Sequence, residues 1–150
     1  MHRKSFAGMR CSIARALEIV GEWWSLLVLR ECFRGAKRFD DFQKALPIAT
    51  NILSARLAKL VKAGVLRRER SEDDRRRHEY RLTDKGRDLY PILIALMHWG
   101  DRWEAGPNGP PVVIVERATG RPIAPMAIRN QDGRALDPRE VRGIRKGTHA

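Results

Sequence analysis

The stretch from Thr50 to Arg81 constrains this chain more than any other. Thr50 is a good N-cap for a helix over Asn51–Ala63, and Gly64 is a stop signal just past its end. Leu53, Leu57, Leu60 and Val61 recur at helical spacing on one face. Asn51, Ile52, Ala55, Lys59 and Lys62 fall on the other, with Ser54 and Arg56 at its edges. That second face is small, polar and cationic and holds no acid, whereas a helix meant only for water mixes its signs. Val65–Arg70 and Glu79–Leu82 then read as two short strands joined by Ser71–His78, with Arg67, Arg68 and Arg70 on one strand and Arg75, Arg76 and Arg77 in the connection. A helix able to enter a groove, followed by a cationic ribbon, is the winged helix-turn-helix pattern, and a DNA-binding regulator is expected.

Composition sharpens the choice of partner. A formal net charge of +12 over 150 residues favours polyanions through counterion release and steering. A membrane partner is not expected, since no apolar run reaches about 18 residues and no basic amphipathic helix stands alone. Met1–Arg10 is basic but is not followed by a secretory core and cleavage site. Cys11 and Cys32 are too few for a disulfide framework and lack zinc spacing, so a reduced cytoplasm fits.

Taken in order, residues 1–10 form a basic N-terminal arm containing His2, Arg3, Lys4 and Arg10. Ser12 can cap a first helix with Ile13, Ala16, Leu17 and Val20 at i, i+3, i+4 and i+7. After Gly21, a second helix over Glu22–Phe33 is apolar nearly all round and should be buried. Phe39–Leu46 is a short amphipathic helix with Asp40 and Asp41 in its first turn, where the macrodipole favours acids. Pro47 ends it, and the short link to Thr50 makes a helix-turn-helix whose second member should carry base contacts.

Beyond the hairpin, Thr83 caps a long helix expected over Asp84–Glu104 and bent near Pro91. From Ile92 to Trp103 its apolar residues cover almost the whole circumference, so a face remains after its own domain is satisfied. A second copy of the chain is the simplest cover, with Ile13, Leu17, Leu93, Leu96, Met97, Trp99 and Trp103 as the expected dimer interface. A two-fold dimer sets two recognition helices about one DNA turn apart on a palindrome. The competing cover is Gly106–Ala150 of the same chain. That segment opens with a stiff Gly-Pro-Asn-Gly-Pro-Pro linker, continues with a strand over Val112–Val115 and a weaker one over Ile123–Arg129, and ends in a basic tail, Arg139–Ala150. Thr119-Gly120 and Asp132-Gly133 are hairpin turns. The expected fold class is mainly α with a small β wing (α+β): a winged helix-turn-helix with dimerisation helix over residues 11–105 and a small β-hairpin appendage over 106–150.

These residues resemble the HxlR family of bacterial winged-helix regulators, relatives of the MarR group, over roughly Cys11 to Trp103. The marks are Cys11; Gly21-Glu22-Trp23 with Leu26-Leu27-Val28-Leu29; Gly35 with Arg38-Phe39 and Phe42; Leu53 and Leu57; Gly64-Val65-Leu66 with Arg68; and Glu79-Tyr80-Arg81-Leu82-Thr83-Asp84-Lys85-Gly86. The resemblance implies a homodimeric transcriptional regulator whose Thr50–Lys62 helix reads the major groove while the hairpin touches a flanking minor groove. The chain departs from the family at the wing tip, where Asp73-Asp74-Arg75-Arg76-Arg77 replaces prolines and is closer to a MarR wing, in which an aspartate orients an arginine inserted in the minor groove. It departs again in the appendage, where Ala118-Thr119-Gly120 and Gln131-Asp132-Gly133 stand in place of cysteine knuckles, so no metal or other cofactor is expected.

The expected DNA-binding set is Thr50, Asn51, Ser54, Ala55, Arg56, Lys59, Lys62, Arg68, Arg75, Arg76 and Arg77. Asn51 and Arg56 are the base readers by side-chain chemistry, Asn pairing adenine and Arg guanine. Thr50 and Lys59 suit phosphates, and one of the three tip arginines suits a narrow minor groove. Some relatives sense oxidants at the place of Cys11, and a helix N-terminus beside Arg10 favours a thiolate; the preferred alternative is a small residue at a dimer seam. Cys32 reads as core. Trp23, Trp24, Trp99 and Trp103 are read as core before they are read as the lining of a small-molecule effector pocket. The expected function is a sequence-specific repressor on a palindromic operator in double-stranded DNA. The competing function is non-specific nucleic-acid binding, to RNA or the nucleoid. Catalysis is not expected, because no phosphate loop, nucleophilic triad or metal spacing occurs.

Overall fold

The computed structural model describes residues 4–147, so His2, Arg3 and the last three residues of the basic tail lie outside the described residues. The order is α1 (Ser12–Val20), α2 (Ser25–Phe33), α3 (Phe39–Ala45), α4 (Thr50–Lys62), β1 (Leu66–Arg70), β2 (His78–Leu82), α5 (Asp84–Arg87) and α6 (Tyr90–Trp103), with a 3₁₀ turn at Pro138–Glu140. This is an α+β winged helix. The chain forms two compact units, one up to Leu93 and one from Ile94 onward, with the division inside α6.

In the first unit, Val28 and Leu29 of α2, Phe42 and Leu46 at α3, and Leu53, Leu57 and Leu60 of α4 close a core completed by Val65 and Leu66. Each fully buried leucine here contributes on the order of 1.5–3 kcal/mol by leaving water. The end of α4 is closed as the glycine signal predicts. Gly64 takes φ 74°, its N–H donates to the Val61 carbonyl at 3.0 Å, and the Val65 N–H donates to Leu60 at 3.0 Å. This pair of hydrogen bonds, with Leu60 and Val65 both buried, is the Schellman closure that sends the chain straight into β1.

Five expectations change. Ser12 and Thr50 are the first residues of their helices rather than the caps: Cys11 and Ala49 hold the extended cap positions, neither with a side-chain capping bond. The Thr50 hydroxyl instead accepts from the Gln43 amide at 2.9 Å. The second helix starts at Ser25, because Gly21–Trp24 form a turn in which the Ser25 N–H donates to the Glu22 carbonyl.

The long helix expected over Asp84–Glu104 is two helices. Pro91 has no N–H to give to Arg87 and clashes with that turn, so α5 stops at Arg87 and α6 restarts with Pro91 in its first turn, where proline is tolerated. The Thr83 cap does form, its hydroxyl accepting from the Gly86 N–H at 3.1 Å. The strands expected at 112–115 and 123–129 do not extend into ladders. Two tight turns, each with a glycine at positive φ (Gly120, 69°; Gly133, 84°), are closed by single antiparallel bridges, Val115 to Pro122 and Arg129 to Ala135. Finally, of the four tryptophans only Trp24 packs against the core; Trp23 is 88% exposed, and Trp99 and Trp103 are also exposed.

Candidate nucleic-acid interface

The outward face of α4 consists of Thr50, Asn51, Ser54, Ala55, Ala58 and Lys62, all exposed, while Leu53, Leu57 and Leu60 anchor the opposite face. The small side chains leave room for close approach to a surface. Ala58 belongs to this face and was missed from the sequence, because alanine at helical spacing carries no chemical signal. Ile52 turns inward to the core. Lys59 and Lys62 sit in the last turn, where they complement the carbonyl end of the helix.

Arg56 and Lys59 are not presented in the same way as the rest. Both are half-buried, and both are ion-paired with Glu22 from the turn before α2, Lys59 Nζ at 3.0 Å. The carboxylate of Glu22 thus spans one turn of α4 and holds its central cations against the domain.

The wing is an antiparallel pair in the register Leu66–Leu82, Arg68–Tyr80 and Arg70–His78. Arg68 is exposed and lies 3.3 Å from His78 Nδ1. At the tip, Asp74 Oδ1 accepts from the Arg76 N–H at 3.0 Å, its carbonyl accepts from the Arg77 N–H at 2.9 Å, and Arg77 Nε lies 3.6 Å from its other oxygen. Arg75 and Arg76 are exposed and have no ion-pair partner among the described residues.

The root of the wing is tied to α3 by a cluster the sequence did not foretell, although Arg38, Glu79 and Arg81 stand among the marks of the family resemblance and Asp41 reads only as a first-turn acid. Glu79 is 6% exposed and Ser71 2%. The Ser71 hydroxyl donates to Glu79 Oε1 at 3.0 Å, Arg38 Nη2 lies 3.5 Å from the same oxygen and donates to Ser71 Oγ at 3.3 Å, and Arg81 Nη2 donates to Glu79 Oε2 at 2.8 Å. The Ser71 hydroxyl first, then the guanidinium of Arg81 and that of Arg38, hold the Glu79 carboxyl below its ordinary value. On the other side, Asp41 Oδ2 accepts from the Arg38 and Lys37 N–H groups at 2.9 and 3.0 Å, which keeps Asp41 ionised to lower pH than usual. The Tyr80 N–H donates to the Lys37 carbonyl at 2.7 Å, and Tyr80 meets Phe42 edge-on.

The remaining expected residues scatter over the surface. Cys11 is half-buried at the start of α1. Cys32 packs against the core, and burial pushes its thiol up to about 12. Ile13 (73% exposed), Leu17, Leu96, Trp99 and Trp103 lie on the surface, Met97 is half-buried, and Leu93 packs against the core of the first unit. In the second unit, Trp99, Trp103, Ile123, Pro125 and Met126 line an open cleft of about 590 Å³, braced by the Met126 N–H donating to His98 Nδ1 at 3.3 Å. Among the described residues no group of His, Cys, Asp or Glu is arranged to hold a metal ion, and no helix is long and apolar enough to cross a membrane.

Comparison with known proteins agrees with this geometry. Residues 19–107 match the model of the HxlR-like helix-turn-helix family. An HTH-type transcriptional regulator of Mycobacterium tuberculosis is 42% identical over 130 residues, covering 87% of this chain and 82% of its own. The crystal structure of PA1607, a candidate transcription factor, superposes with a TM-score of 0.90 at 40% identity over 95% of this chain and all of that one. The redox regulator HypR in its reduced form superposes with a TM-score of 0.56 at 29% identity, covering 61% of this chain and 92% of its own.

Proposed function

This chain belongs to the HxlR family of helix-turn-helix transcriptional regulators, and from that footing we propose that it acts in the cytoplasm as a repressor, binding a palindromic operator in double-stranded DNA as a homodimer. The observation that carries the reading is the pairing of two unlike surfaces: an acid-free α4 face of small side chains, and a wing tip whose Arg75 and Arg76 stand in solvent. Asn51 reads adenine in the major groove, Ser54, Ala55 and Ala58 permit close approach, and Thr50, Lys62 and Arg68 meet phosphates. A tip arginine enters the minor groove beside it. Arg56 and Lys59 join only by sharing or leaving Glu22, which places them second to Asn51.

Dimerisation is supported by the exposed apolar side chains of α1 and α6, Ile13, Leu17, Leu96, Trp99 and Trp103; Leu93, packed against its own core, contributes less. Release by a small ligand finds its support in the cleft beside Trp99 and Trp103. Release by oxidation finds it in the half-exposed Cys11 and the likeness to HypR.

The test is a titration of purified protein into a labelled DNA fragment from upstream of its own gene and into a scrambled fragment, at one stated salt concentration, with the complex sized in parallel. Selectivity of roughly 10³-fold or more by a dimer is the expected result. Equal binding of DNA selected from a random pool and of scrambled DNA would establish the non-specific alternative, and no binding to either would overturn the proposal.

A further inference from the structure

A charged cluster stands at the wing root, apart from the surface proposed to contact DNA. Arg38 opens α3, yet its guanidinium reaches across to Ser71 (3.3 Å), Glu79 (3.5 Å) and the exposed Asp73 (3.9 Å). Glu79 shares its two oxygens between these groups and Arg81, and Arg81 Nε in turn pairs with Glu69 on β1 at 2.8 Å. A buried carboxylate satisfied on both oxygens is costly to disturb, since removal of a partner leaves an uncompensated charge. Ser71 is also where the tip begins: its N–H donates to the Arg77 carbonyl at 2.9 Å and closes the loop that carries the three arginines. One residue therefore closes the loop through its N–H and joins the buried cluster through its hydroxyl.

We propose that Arg38 and Glu79 are positioning residues for DNA binding: through Ser71 they set the direction of the Arg75–Arg77 tip relative to the helix-turn-helix. The cluster links α3, which supports α4 through the bond from Gln43 to Thr50, to the base of the wing. Groove-reading helix and groove-inserting tip are thereby held in one frame, and the tip meets DNA already aimed, with less ordering left to do on binding. This inference rests on the reading that the wing touches DNA.

The experiment is a double-variant cycle on operator affinity. Glu79→Gln keeps the shape and removes the charge; the tip variant replaces Arg75, Arg76 and Arg77 with alanine; the third protein combines them. Glu79→Gln is expected to weaken operator binding about tenfold, with the helicity of the first unit retained and its melting lowered. In its background the tip substitutions should cost far less than in the wild type, because misdirected arginines contribute little. Ser71→Ala serves as the second route, cutting the link to the loop while leaving the ion pair, and should show the same shortfall even if Glu79→Gln unfolds. Full additivity, with the tip costing the same in every background, would overturn the inference. A tip variant that binds like wild type in every background would overturn the wing reading itself.

Discussion

On α4, Arg56 and Lys59 lean back onto Glu22 and only Lys62 stands clear, whereas at the wing tip the Arg75 and Arg76 side chains face solvent with no ion-pair partner among the described residues. The helix is held by three buried leucines and presents small neutral groups; the tip has almost no apolar anchor and presents charge. The difference separates two tasks. A base-reading surface needs fixed geometry and close approach, which packing supplies. A phosphate or minor-groove surface needs long cations with freedom to adjust, which a loop supplies.

The largest expected effect breaks this comparison on its anchored side. Leu57→Ala should cost about 2–5 kcal/mol of stability by opening a cavity at a fully buried site, read by urea or thermal denaturation, whereas alanine at Arg75, Arg76 and Arg77 should leave the melting transition in place. Next in size, Asn51→Ala should lose about 1–3 kcal/mol of discrimination at one base position while the dependence of affinity on salt stays as it was. The tip variant should do the reverse, flattening the salt dependence by up to about three units of slope, near one per phosphate released. Competition titrations at several salt concentrations separate the two. If both variants changed slope and selectivity alike, the division of labour would be wrong.

The smallest effect concerns pH. Glu79 is held below its ordinary value of 4.5 in the folded chain, so its contribution is fully present above that value and is lost as pH falls below it toward the folded group's lower one. Amide exchange of the wing should therefore quicken below about pH 4.5 before α4 loosens, and Glu79→Gln should remove that step.

The leucine spacing of α4, the glycine at position 64 and the arginine-laden hairpin were legible because each is a local signal. What was not legible depends on residues far apart in sequence. Glu22 captures Arg56 from a turn that looked like the start of a helix, and Arg38 meets Glu79 across two intervening elements. The Thr50 hydroxyl looked like a cap and is occupied by Gln43. Pro91 was seen as a bend, but the missing N–H and the clash at Arg87 together end one helix and begin another. The tryptophans of α6 were read as core because their spacing is helical; periodicity shows that a face is apolar, not what covers it.

One close approach has a consequence for how such a chain can change its length. Gly86 lies so near the Val65 carbonyl that an added methyl group would overlap it, while the neighbouring Thr83 and Lys85 side chains donate to carbonyls of the turn that follows α4, Thr83 Oγ1 to Val65 at 3.1 Å and Lys85 Nζ to Ala63 at 2.7 Å. Residues 83–86 thus admit neither a bulkier residue at Gly86 nor an insertion without losing their grip on the recognition helix. The Glu72–Arg76 loop, by contrast, has its ends fastened by Ser71 and Arg77 and can grow or shrink at little entropic cost. Descendants of this sequence are expected to vary their reach along DNA at the tip and to keep an unvarying count of residues between β2 and α6.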